Sequence, residues 1–454
     1  MSKFVRADGR VIYPQTSLTR EQKQAVGLLS IGTFLEYFDL MLYVHMAVLL
    51  NKLFFESADP HTASLMTAFA FCSTYVFRPI GALIFGWLGD NIGRKSTVII
   101  TTFMMAVSCL VMANLPTYAQ IGVTAAWIVT ICRVMQGMSS MGEIVAAELY
   151  ITETINPPAQ YAIVGSLGVF ASLGALGALA IASLVTIHGF NWRAAFWIGA
   201  VIALIGFVAR TRLRETPEFA DAKRQLKKVF AETNTDSSTL VNNPIWTEKV
   251  NKKTILALFF LQCALPVGFY FIYIYCSNIL QTNFGYTIAE VIHHNFIICL
   301  IQLLVVSILS YLSYKIYPLL TIKIILIIFS IFIIFCPYFL NNLHSPFELF
   351  LIQLFIILFN ECLGPAIPIF YRNFPVFKRF TCASIIFAIS RAFVSVITAF
   401  GFTYLVNHFG YWGLWVIMIP TIVGFAYGLL HFEKLEKKRE NYFQSNIDLA
   451  TKAR

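Results

Sequence analysis

Arg78-Pro-Ile-Gly-Ala-Leu-Ile-Phe-Gly-Trp-Leu-Gly-Asp-Asn-Ile-Gly-Arg-Lys95 joins two apolar runs, Ser64 to Leu88 and Thr97 to Leu115. Each run is long enough to cross a bilayer as a helix, which takes about 20 residues. The link between them is short and polar, with one acid and two bases. Gly89 and Gly93 are read as letting the chain reverse tightly, since glycine accepts positive φ. Asp90 stands just before the next helix, where a carboxylate is expected to satisfy free N–H groups and the helix dipole. Arg94 and Lys95 hold the loop on the cytoplasmic side. Gly81 and Gly86 are expected to let neighbouring helices approach closely.

The rest of the chain has the same character. It is 58% hydrophobic and 12% charged, with a mean hydropathy of +0.72; soluble globular chains carry roughly 25% charged residues. This is the composition of a polytopic membrane protein. The net charge of +10 does not point to nucleic acid, because the bases are distributed by side. Arg78, Arg133 and Arg391 lie inside apolar runs, Lys52 and Arg193 face outward, and the other Lys and Arg fall inside. That asymmetry is the positive-inside rule. The nine cysteines sit in apolar runs without a C-x-x-C pair, so neither a disulfide framework nor a metal site is indicated. No small-residue cleavage site precedes the first apolar run, which reads as an uncleaved span.

Taken in order, residues 1–24 form a basic cytoplasmic tail. Six spans follow in 25–210, at about Ala25–Leu50, Ser64–Leu88, Thr97–Leu115, Gln120–Val145, Ala162–Ile187 and Arg193–Ala209. A polar cytoplasmic loop, 211–253, divides the chain, and its start is compatible with a short amphipathic surface helix. Six more spans occupy 254–432, at about Thr254–Leu280, Val291–Tyr314, Leu319–Leu340, Pro346–Tyr371, Phe380–Val406 and Tyr411–His431. A charged tail, 433–454, ends the chain. The expected fold is an all-α integral membrane protein of twelve transmembrane helices in two six-helix bundles around a central cavity.

Charge inside the spans marks candidate sites. Gly32, Glu36, Asp39 and Tyr43 are spaced four, three and four, so they share one helix face. Arg133, Gln136, Ser140 and Glu143 form a similar stripe in the fourth span. These acids read either as structural ion-pair partners or as a substrate and proton pathway. Arg133 needs an acid partner, and a cavity-lining arginine can fork a substrate carboxylate. Arg391 and Glu361 are the buried charges of the second half: Arg391 reads as part of the pathway, Glu361 and Arg78 as structural or partner charges. Tyr37 and Tyr43 are candidates for a cation–π wall. His188, His293, His294 and His344 fall near outer loops and read as solvated.

Gly86-x-Leu88-x-Asp90-x-x-Gly93-Arg94-Lys95 resembles the signature loop of the major facilitator superfamily, which implies a gating loop that latches the cytoplasmic side shut. Arg133-x-x-Gln136-Gly137 is similar to a second superfamily motif, linked there to proton coupling. The chain further resembles the metabolite:proton symporter family, whose members include proline/betaine, α-ketoglutarate, citrate and shikimate transporters. The resemblance rests on Gly32 to Tyr43, Arg78-Pro79-Ile80-Gly81, Arg133 to Glu143 with Glu153, Asn191-Trp192-Arg193, and Glu215-Thr216-Pro217-Glu218-Phe219. It covers most of the first half. The second half departs from the family: its copy of the signature loop, Leu309 to Lys315, has Tyr311 in place of the acid and Tyr314 in place of the glycine. Phe374 to Thr381 resembles the family's link from helix ten to eleven. The fifth span lacks the Gly-Pro pair of the superfamily's drug antiporters.

The expectation is therefore a non-enzymatic, monomeric transporter in the bacterial inner membrane, with both termini cytoplasmic. It takes protons as coupling ion and needs no other cofactor or metal. Its partners are a small-molecule substrate and the lipid bilayer, not nucleic acid. A proline/betaine-type zwitterion is the expected substrate, and a di- or tricarboxylate of the α-ketoglutarate/citrate type is the alternative. A non-transporting sensor or degenerate paralogue is the alternative from another class. A membrane enzyme finds no support in an H-E-x-x-H, G-x-S-x-G or phosphate-loop motif.

Overall fold

The computed structural model describes residues 4–5, 11–12, 14–55, 75–188, 191–211, 213–216, 220–221, 224, 249–360 and 363–452. In the first half, α1 is Arg20–Phe54, α2 Arg78–Asn91, α3 Arg94–Asn114, α4 Val123–Thr154, α5 Ala159–His188 and α6 Trp192–Arg210. In the second, α7 is Lys252–Phe284, α8 Ile288–Leu312, α9 Pro318–Asn341, α10 Pro346–Asn360, α11 Val376–Phe409 and α12 Trp415–Lys452. A two-stranded antiparallel ribbon, β1 (Phe4–Val5) and β2 (Val11–Ile12), precedes them. Seven helical stretches among the described residues are long and apolar enough to cross a membrane, and α6 and α10 contain shorter apolar stretches.

The helix ends follow local chemistry. Thr287 and Glu290 form a capping box that opens α8, satisfying two otherwise orphaned N–H groups. Asn251 caps α7 through the Lys253 N–H. Pro266 lies inside α7, which then widens into a π-helical turn over Phe271–Tyr275. Gly93, at φ 138°, separates α2 from α3, a conformation that disfavours any side chain. Gly89 is different from its sequence reading: it lies in the last helical turn of α2, so Gly93 alone makes the reversal.

Within the first half, α1 packs on α5, α3 on α6, and α4 on both α2 and α3. Within the second, α7 packs on α11 and α12, and α9 on α10 and α12. The halves meet mainly where α2 packs on α11 and α5 on α8. A Cβ at Gly86 would stand 2.8 Å from the Thr381 Cα; the absent side chain lets the backbones of α2 and α11 nearly touch. Large apolar side chains such as Trp127 (65% exposed) and Ile308 (63% exposed) cover the outer faces. In water such a surface is a liability, and in lipid it is the natural exterior.

Two features extend the sequence reading. The charged tail is no separate segment at its start: α12 stays helical to Lys452. Ahead of α1, Gln15 exchanges backbone hydrogen bonds with Pro157 and Ala159, between α4 and α5. The next carbonyl, Thr16, accepts the Tyr314 hydroxyl of the second half at 2.7 Å. This short strap thus touches both halves.

Candidate functional site

The acids of the α1 stripe are both buried, Glu36 at 3% and Asp39 at 4% exposure, yet they serve different surroundings. Asp39 accepts hydrogen bonds from Arg133 at 3.2 Å and from Gln136 at 2.8 Å. Arg133 also donates to Gln136 Oε1 at 2.9 Å, and its guanidinium lies 3.8 Å from the Tyr43 ring centroid. The two stripes read from sequence lie on facing sides of α1 and α4, so Asp39, Arg133, Gln136 and Tyr43 meet in one closed polar cluster inside the first half. Tyr43 is the platform for this arginine. None of the four lines either of the two cavities between the halves.

Glu143, one helical face further along, belongs to a third environment. Its carboxylate pairs with Arg210 at 2.7 Å and accepts the Thr102 hydroxyl. Arg210 continues to the carbonyls of Leu28 and Leu29. Sequence reasoning missed Arg210 as a partner because it ends the sixth hydrophobic run, where a base normally faces the aqueous rim.

Between the halves lie two adjoining cavities of about 130 Å³ and about 60 Å³. Both are bordered by Tyr37 of α1, Phe269 of α7, and Phe387 and Arg391 of α11. Glu36 lines the smaller one, 4.0 Å from Arg78, and its Oε2 takes no hydrogen bond among the described residues. Arg391 is 5% exposed. Its guanidinium lies over the Phe387 ring at 4.4 Å, and one terminal nitrogen has no hydrogen-bond partner among the described residues. The larger cavity adds Gln262, Gln302 and Glu148. Sequence reasoning missed Glu148, which accepts the Tyr371 hydroxyl at 2.8 Å. Its signal was available: Gly137, Met141, Ile144 and Glu148 are spaced four, three and four, on the face beside the stripe that was read.

At one rim the Asp90 loop joins the halves. Asp90 does not cap the helix that follows it; the N–H of Arg94 donates to Glu215 at 3.0 Å instead. Asp90 accepts from the backbone of Phe380 at 3.1 Å and Thr381 at 2.8 Å, and from the Thr381 hydroxyl at 2.6 Å. All three donors belong to α11, across the interface. Arg94 pairs with Asp90 and Glu153 at 3.2 Å each and donates to the Val376 carbonyl at 2.9 Å. Glu153 takes Arg379 at 3.2 Å and the Thr216 hydroxyl at 2.6 Å. Buried and charge-assisted, these bonds are of the stronger kind.

Glu361 and most of the central loop, including all of 225–248, lie outside the described residues, as do Phe69 and Phe71. His294 is half-buried rather than freely solvated: its ring bonds the fully buried Gln353 at 2.7 Å. Among the described residues no group of three or more His, Cys, Asp or Glu could hold a metal ion.

Two helical bundles around a charged central cavity, tied at one rim by an Asp–Arg loop, define a polytopic, two-bundle membrane fold. The chain belongs to the Major Facilitator Superfamily, whose pattern matches residues 29–375. It is 30% identical over 273 residues to the proline/betaine transporter of Salmonella typhimurium (strain LT2), covering 58% of this chain and 54% of that one. It is 36% identical over 211 residues to the inner membrane metabolite transport protein YhjE of Escherichia coli (strain K12), covering 43% and 47%. The chain thus spans about half the length of the relatives it matches. The proton:xylose symporter XylE, solved with 6-bromo-6-deoxy-D-glucose, superposes with a TM-score of 0.71 at 14% identity, over 91% of this chain and 95% of that one. This establishes the twelve-helix, two-bundle fold.

Proposed function

We propose that the protein is a secondary active transporter that couples proton entry to uptake of a small polar metabolite across the bacterial inner membrane. The observation that carries this reading is the cavity between the halves, where Arg391 of the second half and Glu36 and Glu148 of the first present charge to a small, partly open space. Charge in such a place is costly unless a ligand, a proton or a partner uses it. A proline/betaine-type zwitterion is the substrate class that suits a site with both signs of charge, and relatives at 30% identity are named for those substrates.

In this reading Glu36 and Arg391 border the substrate path, while Asp39, Arg133, Gln136 and Glu143 act behind it, on the shape and proton balance of the first bundle. Gly86, Asp90, Gly93, Arg94 and Lys95 form the gating loop on the cytoplasmic side. The bundles correspond to 25–210 and 254–432, both termini are cytoplasmic, and the chain works as a monomer without a cofactor. The test is uptake into proteoliposomes under an imposed pH gradient, acid outside, against a labelled panel of proline, glycine betaine, α-ketoglutarate and citrate. Accumulation of a zwitterion that collapses with a protonophore is the expected result. Gradient-driven uptake of a carboxylate alone would move the assignment to the other substrate class. Binding without uptake of any compound would make the protein a sensor.

A further inference from the structure

We propose that Glu148 is a specificity-determining residue that receives the ammonium group of a small amino or imino acid, while Arg391 receives its carboxylate. The assignment rests on the central cavity being the substrate site. Both residues border the same space of about 130 Å³, small beside the roughly 300–1,000 Å³ of drug-sized pockets. They come from opposite halves, Glu148 from α4 and Arg391 from α11. No ion pair or hydrogen bond joins them among the described residues. Each is therefore available to a third party.

The two poles are differently prepared. Arg391 is buried with one terminal nitrogen unbonded, its guanidinium held over Phe387. A buried N–H donor without a partner is unfavourable, and a carboxylate supplies both the acceptor and the opposite charge. Glu148 is half-buried, and Oε2 is fixed by the hydroxyl of Tyr371, itself fully buried. A carboxylate offers about four lone-pair sites, so one tyrosine hydroxyl leaves most of that capacity facing the cavity. The remaining polar wall, Thr33, Tyr37, Ser172, Gln262 and Gln302, is neutral.

Only one ligand class satisfies both ends. A dicarboxylate would set its second carboxylate against Glu148, a like-charge contact that discriminates against it. A sugar would leave both charges without a counter-charge. A zwitterion answers each pole with its opposite. An ammonium bearing N–H groups also gives Glu148 hydrogen bonds, which a quaternary nitrogen lacks, so the geometry favours amino and imino acids within the zwitterions.

The experiment is calorimetric titration of the full chain, purified in detergent, with L-proline, N-acetyl-L-proline and succinate. Wild-type protein is expected to bind L-proline at least tenfold tighter than N-acetyl-L-proline, which keeps the carboxylate and loses the ammonium. Glu148→Gln, which preserves an acceptor for Tyr371, should weaken L-proline at least tenfold without weakening succinate. Arg391→Gln should weaken both. L-proline binding within twofold of wild type in Glu148→Gln overturns the assignment. So does wild-type preference for succinate, or equal binding of L-proline and its N-acetyl derivative. The acetylated probe decides the matter even if the variant does not fold. Proteoliposome uptake separates the two claims. A chain that binds as expected but moves nothing refutes transport and leaves the ammonium pole standing. Uptake of succinate in preference to L-proline does the reverse.

Discussion

At the residue scale, the first half sets Asp39 against Arg133 and Glu143 against Arg210 in buried pairs whose members cannot be removed singly. Deleting one partner of a buried ion pair leaves an uncompensated charge and costs about 3–5 kcal/mol. Arg133→Leu is therefore expected to destabilise the detergent-solubilised protein by about that much and to abolish uptake. Arg133→Leu combined with Asp39→Asn should recover part of the stability. A thermal double-mutant cycle reads the coupling, and additive losses would show that the 3.2 Å contact contributes nothing. The sequence shows that Arg133 and Gln136 share a helix face and that Arg133 needs an acid, because side chains three and four residues apart lie on one side; that Asp39 is that acid is set by the packing of α1 on α4. The partner of Glu143 is not legible in the sequence. Arg210 stands 67 residues away, and only the packing of α3 on α6 and of α1 on both α4 and α6 brings Arg210, Thr102 and Glu143 together. Gly32 permits that meeting, since a Cβ there would run into the Arg210 guanidinium and the Glu143 carboxylate. Gly32→Ala should consequently cost stability in wild type. The loss should be smaller where Arg210 and Glu143 are already replaced by Met and Gln, as compared by melting temperature.

At the element scale, the decisive contact is α2 against α11. The sequence announces its ingredients, the glycines and the Asp90 loop, but not its direction. A carboxylate before a helix start is most economically read as that helix's cap, whereas Asp90 reaches across to the second turn of α11. Local propensity cannot reveal an acceptor whose donors lie 290 positions away. The contact is also intolerant of volume: a Cβ at Gly86 meets backbone, not a side chain that could swing aside. Gly86→Leu should wedge α2 from α11 and raise the labelling rate of a cysteine placed on the Asp90 side of the cavity. Labelling unchanged from wild type would show that the close approach is dispensable.

At the scale of the whole molecule, the rim is held asymmetrically. The first-half loop places Asp90, Arg94 and Glu153 in a buried, charge-assisted network with α11. At the corresponding place in the second half, Tyr311 is 65% exposed, with Lys315 over its ring. A hydrogen bond to a charged group is worth about 1.5–3 kcal/mol, enough to change a two-state ratio by roughly ten- to a hundredfold. Asp90→Asn should thus slow uptake and increase labelling from the Asp90 side, while Tyr311→Phe leaves both near wild type. Equal accessibility in the two variants at matched expression would remove the latch from the cycle. Orientation is tested separately: an impermeant thiol reagent applied to intact cells should reach a cysteine at position 57 and miss one at position 237. Labelling at 237 would invert the proposed topology.

The strap ahead of α1 has a practical bearing on every one of these assays. Gln15 is pinned between α4 and α5, and Thr16 is pinned to Tyr314 in the other bundle. In the proposed transport cycle a reporter fused upstream therefore pulls on a seam that parts as the bundles rock, and its signal would mix turnover with its own drag. A fluorophore or affinity handle joined beyond α12 does not load the strap at Gln15 and Thr16. Kinetic comparisons made with tags at the two ends should differ, and the difference itself measures how firmly the seam is sewn.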